Sequence, residues 1–485
     1  MHRPPKRRRV SGTPPAGYAL TATHPYGAQP AGSGLGRAGC RTPGLGRLAV
    51  LPDALLLDIL ALLSTRELGR LARVSRALYV LAHDGELWRG IAVALWAAQQ
   101  PAGSLHKGWF RGTWKDTVGG MIRRAAGASS PTPHSPLAIR DFFSDTIFSG
   151  WLCSSLAVPP EWTEVETVDR EAGLSLADFR ARYEVPNRPV VITDVVPTWP
   201  AFKRWDLEYL REVSKGAAFE SGPVSLPFDE YWEYARSTTD ESPLYVFDPR
   251  FGEKVPELAA DYTTPEFFAE DLFSVLGEGR PNYRWLIIGA ARSGSTFHVD
   301  PNGTSAWNAT ITGAKKWIML PPGVPPPGVH PNEDGSEVTA PVSLAEWFVN
   351  FYPELSSHPV KAVEFVSRRG DLVFVPSGWW HCVLNLEDDA DPGAPVVALT
   401  QNFVSSANLG PVCRFLREKR DQVSGMACGA AAETLYERFS AKLRTDRPEL
   451  AEVLDAPAVS DQPAPAKPTL WDTMVGPAEQ FTFSF

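Results

Sequence analysis

Two histidines and one aspartate in this chain could together bind a metal. His298 and Asp300 stand two apart in Phe297-His298-Val299-Asp300, and His381 closes Trp379-Trp380-His381 far downstream. Two imidazoles and a carboxylate make the facial triad of a non-haem Fe(II) oxygenase, which leaves three coordination positions for co-substrate and dioxygen. On a strand, a separation of two puts His298 and Asp300 on the same side. His381 must then come from a second strand laid alongside, and a β-barrel brings inward positions of distant strands together. The triplet alone carries little weight, because such spacings are common on solvated surfaces.

The elements around these residues raise its weight. Pro301-Asn302-Gly303 is a turn signal, and residues 304–312 then alternate. Ser305, Trp307, Ala309 and Ile311 make a mostly apolar face, while Thr304, Ala306, Asn308, Thr310 and Thr312 make a small polar one that suits a ligand cavity. Gly313 breaks the run and allows a hairpin. The next strand sets Lys315, Trp317 and Met319 on one side and Lys316, Ile318 and Leu320 on the other. Lys315, beside a large aromatic, is the better candidate for a buried ammonium, which would suit the distal carboxylate of a dicarboxylic acid. The plainer reading takes both lysines to water. Arg369 to Trp380 reads as a strand, a tight turn and a new strand start that delivers His381 inward. Residues 396–403 read as another strand, with Thr400 and Asn402 on one face.

The stretches Tyr283–Pro321 and Gly370–Phe403 resemble the Jumonji-C family of Fe(II)- and 2-oxoglutarate-dependent oxygenases. Arg292-Ser293-Gly294, His-x-Asp-Pro, Gly-Thr-Ser-Ala-Trp-Asn, Trp-Trp-His and Thr-Gln-Asn-Phe look most like its arginine demethylase and lysyl hydroxylase subgroup, once called the phosphatidylserine receptor. The similarity runs from about Leu244 to Asn408. The resemblance implies Fe(II) on His298, Asp300 and His381. It implies 2-oxoglutarate held by Asn308 and Lys315, with Tyr245, Ser295 and Thr400 lining the pocket; Ser295 stands where the subgroup often has threonine. The implied fold is α+β: a double-stranded β-helix of the cupin or jelly-roll type with flanking helices, preceded by a small all-α module. The implied reaction hydroxylates or N-demethylates a protein lysine or arginine, for instance on histones or splicing factors, and releases succinate and CO2.

A chain of 485 residues allows two to three domains, and 44% hydrophobic residues with 16 Trp can fill a sizeable core. The net charge of −9 argues against nucleic acid as a direct substrate. Cys40, Cys153, Cys382, Cys413 and Cys428 are odd in number and lack CxxC spacing, so they read as reduced thiols of an intracellular protein. No segment is long and apolar enough to span a membrane, the richest, Leu48–Leu63, being broken by Pro52, Asp53 and Asp58. The basic run from Arg3 to Arg9 reads either as a nuclear localisation signal, placing the protein in the nucleus with the cytoplasm as a second location, or as an incidental tail.

Leu51-Pro52-Asp53 opens a helix, and Leu68, Leu71, Val74, Leu78 and Leu81 recur at three- and four-residue steps before Leu87-Trp88-Arg89. This stretch resembles an F-box, which implies docking on a Skp1-type adaptor of a cullin ubiquitin ligase; the alternative is a helical bundle that packs on its own chain. The expected division is a disordered tail over 1–44, the F-box over 45–95, an aromatic-anchored extension and flexible linker over 96–140, the N-terminal part of the catalytic domain over 141–240, the barrel over 241–408, C-terminal helices over 409–450 and a Pro/Ala-rich tail over 451–485. The stripe Leu435, Phe439, Leu443 would mediate a homodimer or pack back on the barrel. A rival function is a ligase substrate receptor whose barrel binds its target without oxidising it. A damaged triad or a missing lysine would mark that, and neither is seen here.

Overall fold

The computed structural model describes residues 23–99, 109–127, 135–387, 391–426 and 429–455. The basic run at 3–9, Cys428 and the tail from 456 lie outside them.

Two sheets make the barrel. In the larger, strands run in the order Asp169–Glu171, Val190–Ile192, Leu372–Val375, Ser305–Thr312, Val396–Phe403, Arg284–Gly289 and Tyr245–Asp248. In the smaller the order is Val363–Arg368, Ala314–Leu320, Trp380–Leu386 and Gly294–His298. From Arg284 to Leu320, and again from Val363 to Phe403, successive strands alternate between the two sheets. Gly313, at φ 71°, does not close a hairpin as expected but passes the chain from one sheet to the other. The reason is topological: in a double-stranded β-helix each strand pairs with partners distant in sequence, here Ser305–Thr312 with Leu372–Val375 and Val396–Phe403.

The alternation read from the sequence decides which way each strand faces. Trp307, Ala309 and Ile311 point out of the barrel into a core with Phe179, Trp199, Tyr262 and Phe268, and the Phe268 and Trp307 rings stack at 6.3 Å. Ala306 points inward with Trp317, Phe365, Val375 and Trp379, which pack between the sheets. Val190, Val191 and Ile192 form a fully buried strand.

Residues 53–99 form the helices Asp53–Leu60, Thr65–Leu71, Arg76–Leu81 and Gly85–Gln99. Ser64 and Glu67 form a capping box, and Ser75 caps the third helix by accepting from the Leu78 N–H. The Ser75 cap breaks the expected run of apolar steps, so Leu68, Leu78 and Leu81 are buried while Val74 is exposed. Order begins earlier than the sequence suggests. Ala28–Gln29 pairs in parallel with Phe142–Phe143, and Arg41 forms an ion pair with Asp53 at 2.8 Å, so residues 23–44 are not a disordered tail. The Gly/Pro-rich composition misled because these backbone groups find partners more than a hundred residues away.

The module is not joined to the barrel by a free linker alone. Trp88, Ala92 and Trp96 belong to the same continuous core as Tyr231, Trp232 and Tyr234. The extension supplies Trp109, whose ring lies 4.4 Å from Trp96 and whose Nε1 donates to the Glu230 carbonyl at 3.2 Å. The helix Trp114–Ala125 follows, and Trp114 Nε1 donates to Asp240 at 2.7 Å. Trp109→Ala would empty a cavity shared by both parts and cost about 3–5 kcal/mol. The expected result is a single unfolding transition shifted down as a whole; two separate transitions in calorimetry would show that the parts unfold independently.

At the C-terminal end, Leu435, Phe439 and Leu443 are buried against Phe273, Leu276 and Leu409 of the same chain. Of the two readings of that stripe, the structure takes the intramolecular one. No helix among the described residues is long and apolar enough to cross a membrane.

Candidate metal centre and co-substrate cavity

His298 ends the strand Gly294–His298, and His381 is the second residue of Trp380–Leu386; the two are direct cross-strand partners. Gly294, at φ 143°, makes the approach possible, since a Cβ there would lie 1.9 Å from the Val383 carbonyl oxygen. Asp300 sits just past the strand end but keeps an extended backbone, φ −58° and ψ 142°, so it stays on the His298 side. The ligand atoms of His298, Asp300 and His381 all lie within 4.8 Å of one another, and the imidazole centroids are 4.2 Å apart.

Both tautomers are set by the backbone. His298 Nδ1 lies 2.8 Å from the Thr296 carbonyl oxygen and His381 Nδ1 lies 3.1 Å from that of Trp379. A carbonyl only accepts, so each Nδ1 carries the proton and each Nε2 offers a lone pair. Asp300 Oδ2 is buried without a hydrogen-bond partner among the described residues. Burial raises the Asp300 pKa against the opposing pull of His298 and the Asn402 amide. Burial, then the neighbouring His298, hold His381 well below the ordinary imidazole value. An orphaned carboxylate oxygen beside two lone pairs is a donor set that fits one divalent cation.

The triad opens on a cavity of about 720 Å³. Lys315 lines it, fully buried, with its Nζ 3.5 Å from Asn308 Oδ1 and no ion pair among the described residues. Burial holds its pKa down at about 7. Lys316, one residue on, is also buried and does not snorkel to water: it pairs with Glu364 at 3.0 Å behind the sheet. Of the two, Lys315 is the one that faces the cavity without a carboxylate partner, so an anion entering the cavity meets it.

Asn308 and Thr400 are cross-strand neighbours on the opposite sheet, and both line the cavity. Thr400 Oγ1 donates to the Trp307 carbonyl at 2.8 Å. Tyr245 and Ser295 line it too, and burial pushes the Tyr245 pKa up. The structure thus brings His298, Asp300, His381, Asn308, Lys315, Tyr245, Ser295 and Thr400 to one cavity. Sequence reasoning passed over Asn402, although its parity with Thr400 pointed to it. Asn385 was also missed. It stands opposite Lys315, donates from Nδ2 to Ser293 Oγ at 2.9 Å, and has a buried Oδ1 without a hydrogen-bond partner among the described residues. Nothing local to Arg89, Glu241 or Arg292 marked them as cavity residues, and they line it as well.

Comparison with known proteins agrees with this geometry. A cupin-like domain model matches residues 176–407 and an F-box-like model matches residues 48–93. The chain is 40% identical over 481 residues to "Arginine-specific demethylase JMJ22" of Arabidopsis thaliana, covering 97% of this chain and 91% of that protein. It is 33% identical over 315 residues to "Bifunctional arginine demethylase and lysyl-hydroxylase psr-1" of Caenorhabditis elegans, covering 62% of this chain and 73% of that protein. It is 30% identical over 285 residues to "2-oxoglutarate and iron-dependent oxygenase JMJD4" of Gallus gallus, covering 53% of this chain and 64% of that protein. With a triad and a buried lysine in one double-stranded β-helix, and a 40% identical relative matched along nearly its whole length, the chain belongs to the cupin-like Jumonji-C family of Fe(II)- and 2-oxoglutarate-dependent oxygenases and carries an F-box-like module.

Proposed function

We propose that the protein oxidises an arginine or lysine side chain of a protein, by hydroxylation at carbon or by removal of an N-methyl group. The observation that carries this reading is one cavity holding both the triad and a buried ammonium without a carboxylate partner. His298, Asp300 and His381 hold the metal through two Nε2 atoms and a carboxylate oxygen. Lys315 takes the distal carboxylate of 2-oxoglutarate, and Asn308, Thr400, Tyr245 and Ser295 shape the pocket around it. The bound iron and co-substrate supply oxidative decarboxylation, in which 2-oxoglutarate and O2 yield succinate, CO2 and one oxygen atom inserted into a C–H bond. On a side-chain carbon the product is an alcohol. On an N-methyl group the carbinolamine loses formaldehyde.

The relatives' names support arginine and lysine as targets. So does the cavity itself: the aromatic residues Phe247 and Trp285 line it, and aromatic rings attract guanidinium and ammonium groups. The test is mass spectrometry of a peptide mixture incubated with the protein, Fe(II) and 2-oxoglutarate. Gain of one oxygen marks hydroxylation and loss of one methylene marks demethylation. Succinate release without either change in any arginyl or lysyl peptide would sink the substrate reading.

The F-box-like module supports a second role, docking on a Skp1-type adaptor, which can coexist with oxidation. Leu55, Ile59 and Leu62 are 43, 41 and 85% exposed and recur at helical spacing on or just beyond Asp53–Leu60. Such a ridge, left uncovered by the chain, is what an adaptor would bury. Leu51, by contrast, is half-buried against the core and is a poor choice for a test. Leu55→Glu with Leu62→Glu is expected to abolish adaptor capture while melting temperature and succinate release stay unchanged. Full adaptor binding by that variant would refute docking through this ridge.

A further inference from the structure

The chain that links the C-terminal helices reaches the oxygenase cavity. After the helix Leu409–Glu418 and the short turn Arg420–Gln422 comes Val423-Ser424-Gly425-Met426. Val423 and Met426 pack on the C-terminal core of Leu272, Leu409 and Phe439, while Ser424 and Gly425 between them line the cavity. Backbone groups on both inner residues tie this strap to the barrel. Asn302 Nδ2 donates to the Ser424 carbonyl at 3.1 Å, and the Ser424 N–H donates back to Asn302 Oδ1 at 3.1 Å. The Gly425 carbonyl accepts from the Asn282 N–H at 2.8 Å. The approach is close: Gly425 sits at φ 79°, and a Cβ there would lie 3.1 Å from the Asn282 nitrogen. Asn302 is buried and held at φ 58°, a left-handed conformation that asparagine tolerates. Its amide thus serves one residue of the strap with both a donor and an acceptor.

Strand pairing decides which reactant the strap meets. Lys315 pairs with Asn385 and Met319 with His381, so the lysine and metal positions lie four residues apart, roughly 13 Å of strand. The strand Gly294–His298 begins opposite Leu384, beside Asn385, and ends opposite His381, so it runs away from the Lys315 end. Asp300 lies past His298 on that far side, and Asn302 follows it. A co-substrate anchored on Lys315 fills the near side of the metal. The strap borders the space that is left, together with Asp300, Pro301 and Asn402. We infer that residues 423–426, held in place by Asn302, form a support for the substrate peptide beside its target side chain. Asn302 is then a positioning residue, and the C-terminal helices share in the substrate site. The inference rests on the oxygenase reading above.

The experiment is fluorescence anisotropy on the full chain with Mn(II) and 2-oxoglutarate, without oxygen. The probes are two labelled peptide libraries, one centred on arginine and one on lysine, with mixed residues on either side. Asn302→Gly is the variant, since glycine takes φ 58° without strain and only the amide is lost. Wild type is expected to bind at least one library, and Asn302→Gly to bind it about tenfold more weakly, the net size of a hydrogen-bonded contact or two. Asn302→Asp, which keeps the acceptor for the Ser424 N–H, should fall between them. Affinity for 2-oxoglutarate and the Mn(II) thermal shift, read on the same samples, should match wild type, which a general loosening of the fold would not allow. No binding of either library by wild type, or equal binding by Asn302→Gly, overturns the inference. A loss of 2-oxoglutarate affinity as large as the loss for peptide makes Asn302 purely structural and overturns it too. Succinate release by wild type in air is measured separately. Its absence would fell the oxygenase reading, while the peptide ratio still judges the strap.

Discussion

Asp300→Ala abolishes succinate release from 2-oxoglutarate, yet leaves the metal-free protein at least as stable as wild type. Both halves of this expected result follow from one buried oxygen. Oδ2 has no hydrogen-bond partner among the described residues, so the carboxylate is a burden on the fold until a cation arrives. Removing it relieves that burden and also removes one of three ligands. Wild type is expected to gain thermal stability with added Mn(II), since a cation that binds only the folded chain shifts unfolding by mass action. The variant should lose that shift. Retained succinate release, or an unchanged Mn(II) shift, would show that the metal sits elsewhere.

Lys315→Ala and Lys316→Ala are expected to fail in opposite ways. Lys315→Ala should weaken 2-oxoglutarate binding by a hundredfold or more, because removing one partner of a buried ion pair costs about 3–5 kcal/mol. Lys316→Ala should leave that affinity near wild type and lower stability instead, since it strands Glu364 in the sheet behind the cavity. A pH dependence separates them further. Burial holds Lys315 at about 7 in the folded chain against an ordinary 10.5. Between those values the unfolded chain binds more protons, so the stability of the ligand-free protein should rise with pH across that window. Binding a dicarboxylate needs the ammonium form, so affinity should fall as pH climbs above 7 and proton uptake should accompany binding. Calorimetry in buffers of different ionisation enthalpy measures that uptake. Lys315→Met should show neither trend, and equal effects of the two alanine variants on affinity would reverse the facing of this strand.

The site was legible from the sequence where parity carries the information. A strand alternates strictly, so His298 with Asp300, Asn308 on the small polar face and Lys315 beside Trp317 could be assigned without knowing which strands pair. Pairing itself was not legible. Gly313 looked like a hairpin turn because local sequence says that the chain reverses, not which sheet receives it. Residues 23–44 looked disordered because their partner strand, Phe142–Phe143, lies far along the chain. Arg89 was out of reach for the same reason: only the packing of Trp88, Trp96 and Trp109 on Tyr231, Trp232 and Tyr234 brings its helix to the cavity. Lys316 shows the limit of pattern in the other direction, since alternation put it on the face away from the cavity but could not say that Glu364 would meet it there.

That shared tryptophan-rich core also has a consequence during synthesis. The helix Gly85–Gln99 is made well before the residues that cover it, Phe228–Ser237, leave the ribosome. At 5–20 residues per second the interval is roughly seven to thirty seconds, during which Trp88 and Trp96 lack that cover. The nascent chain is therefore a client for chaperones that hold aromatic segments. A chain halted before residue 228 should be recovered as aggregate unless such a holder is present.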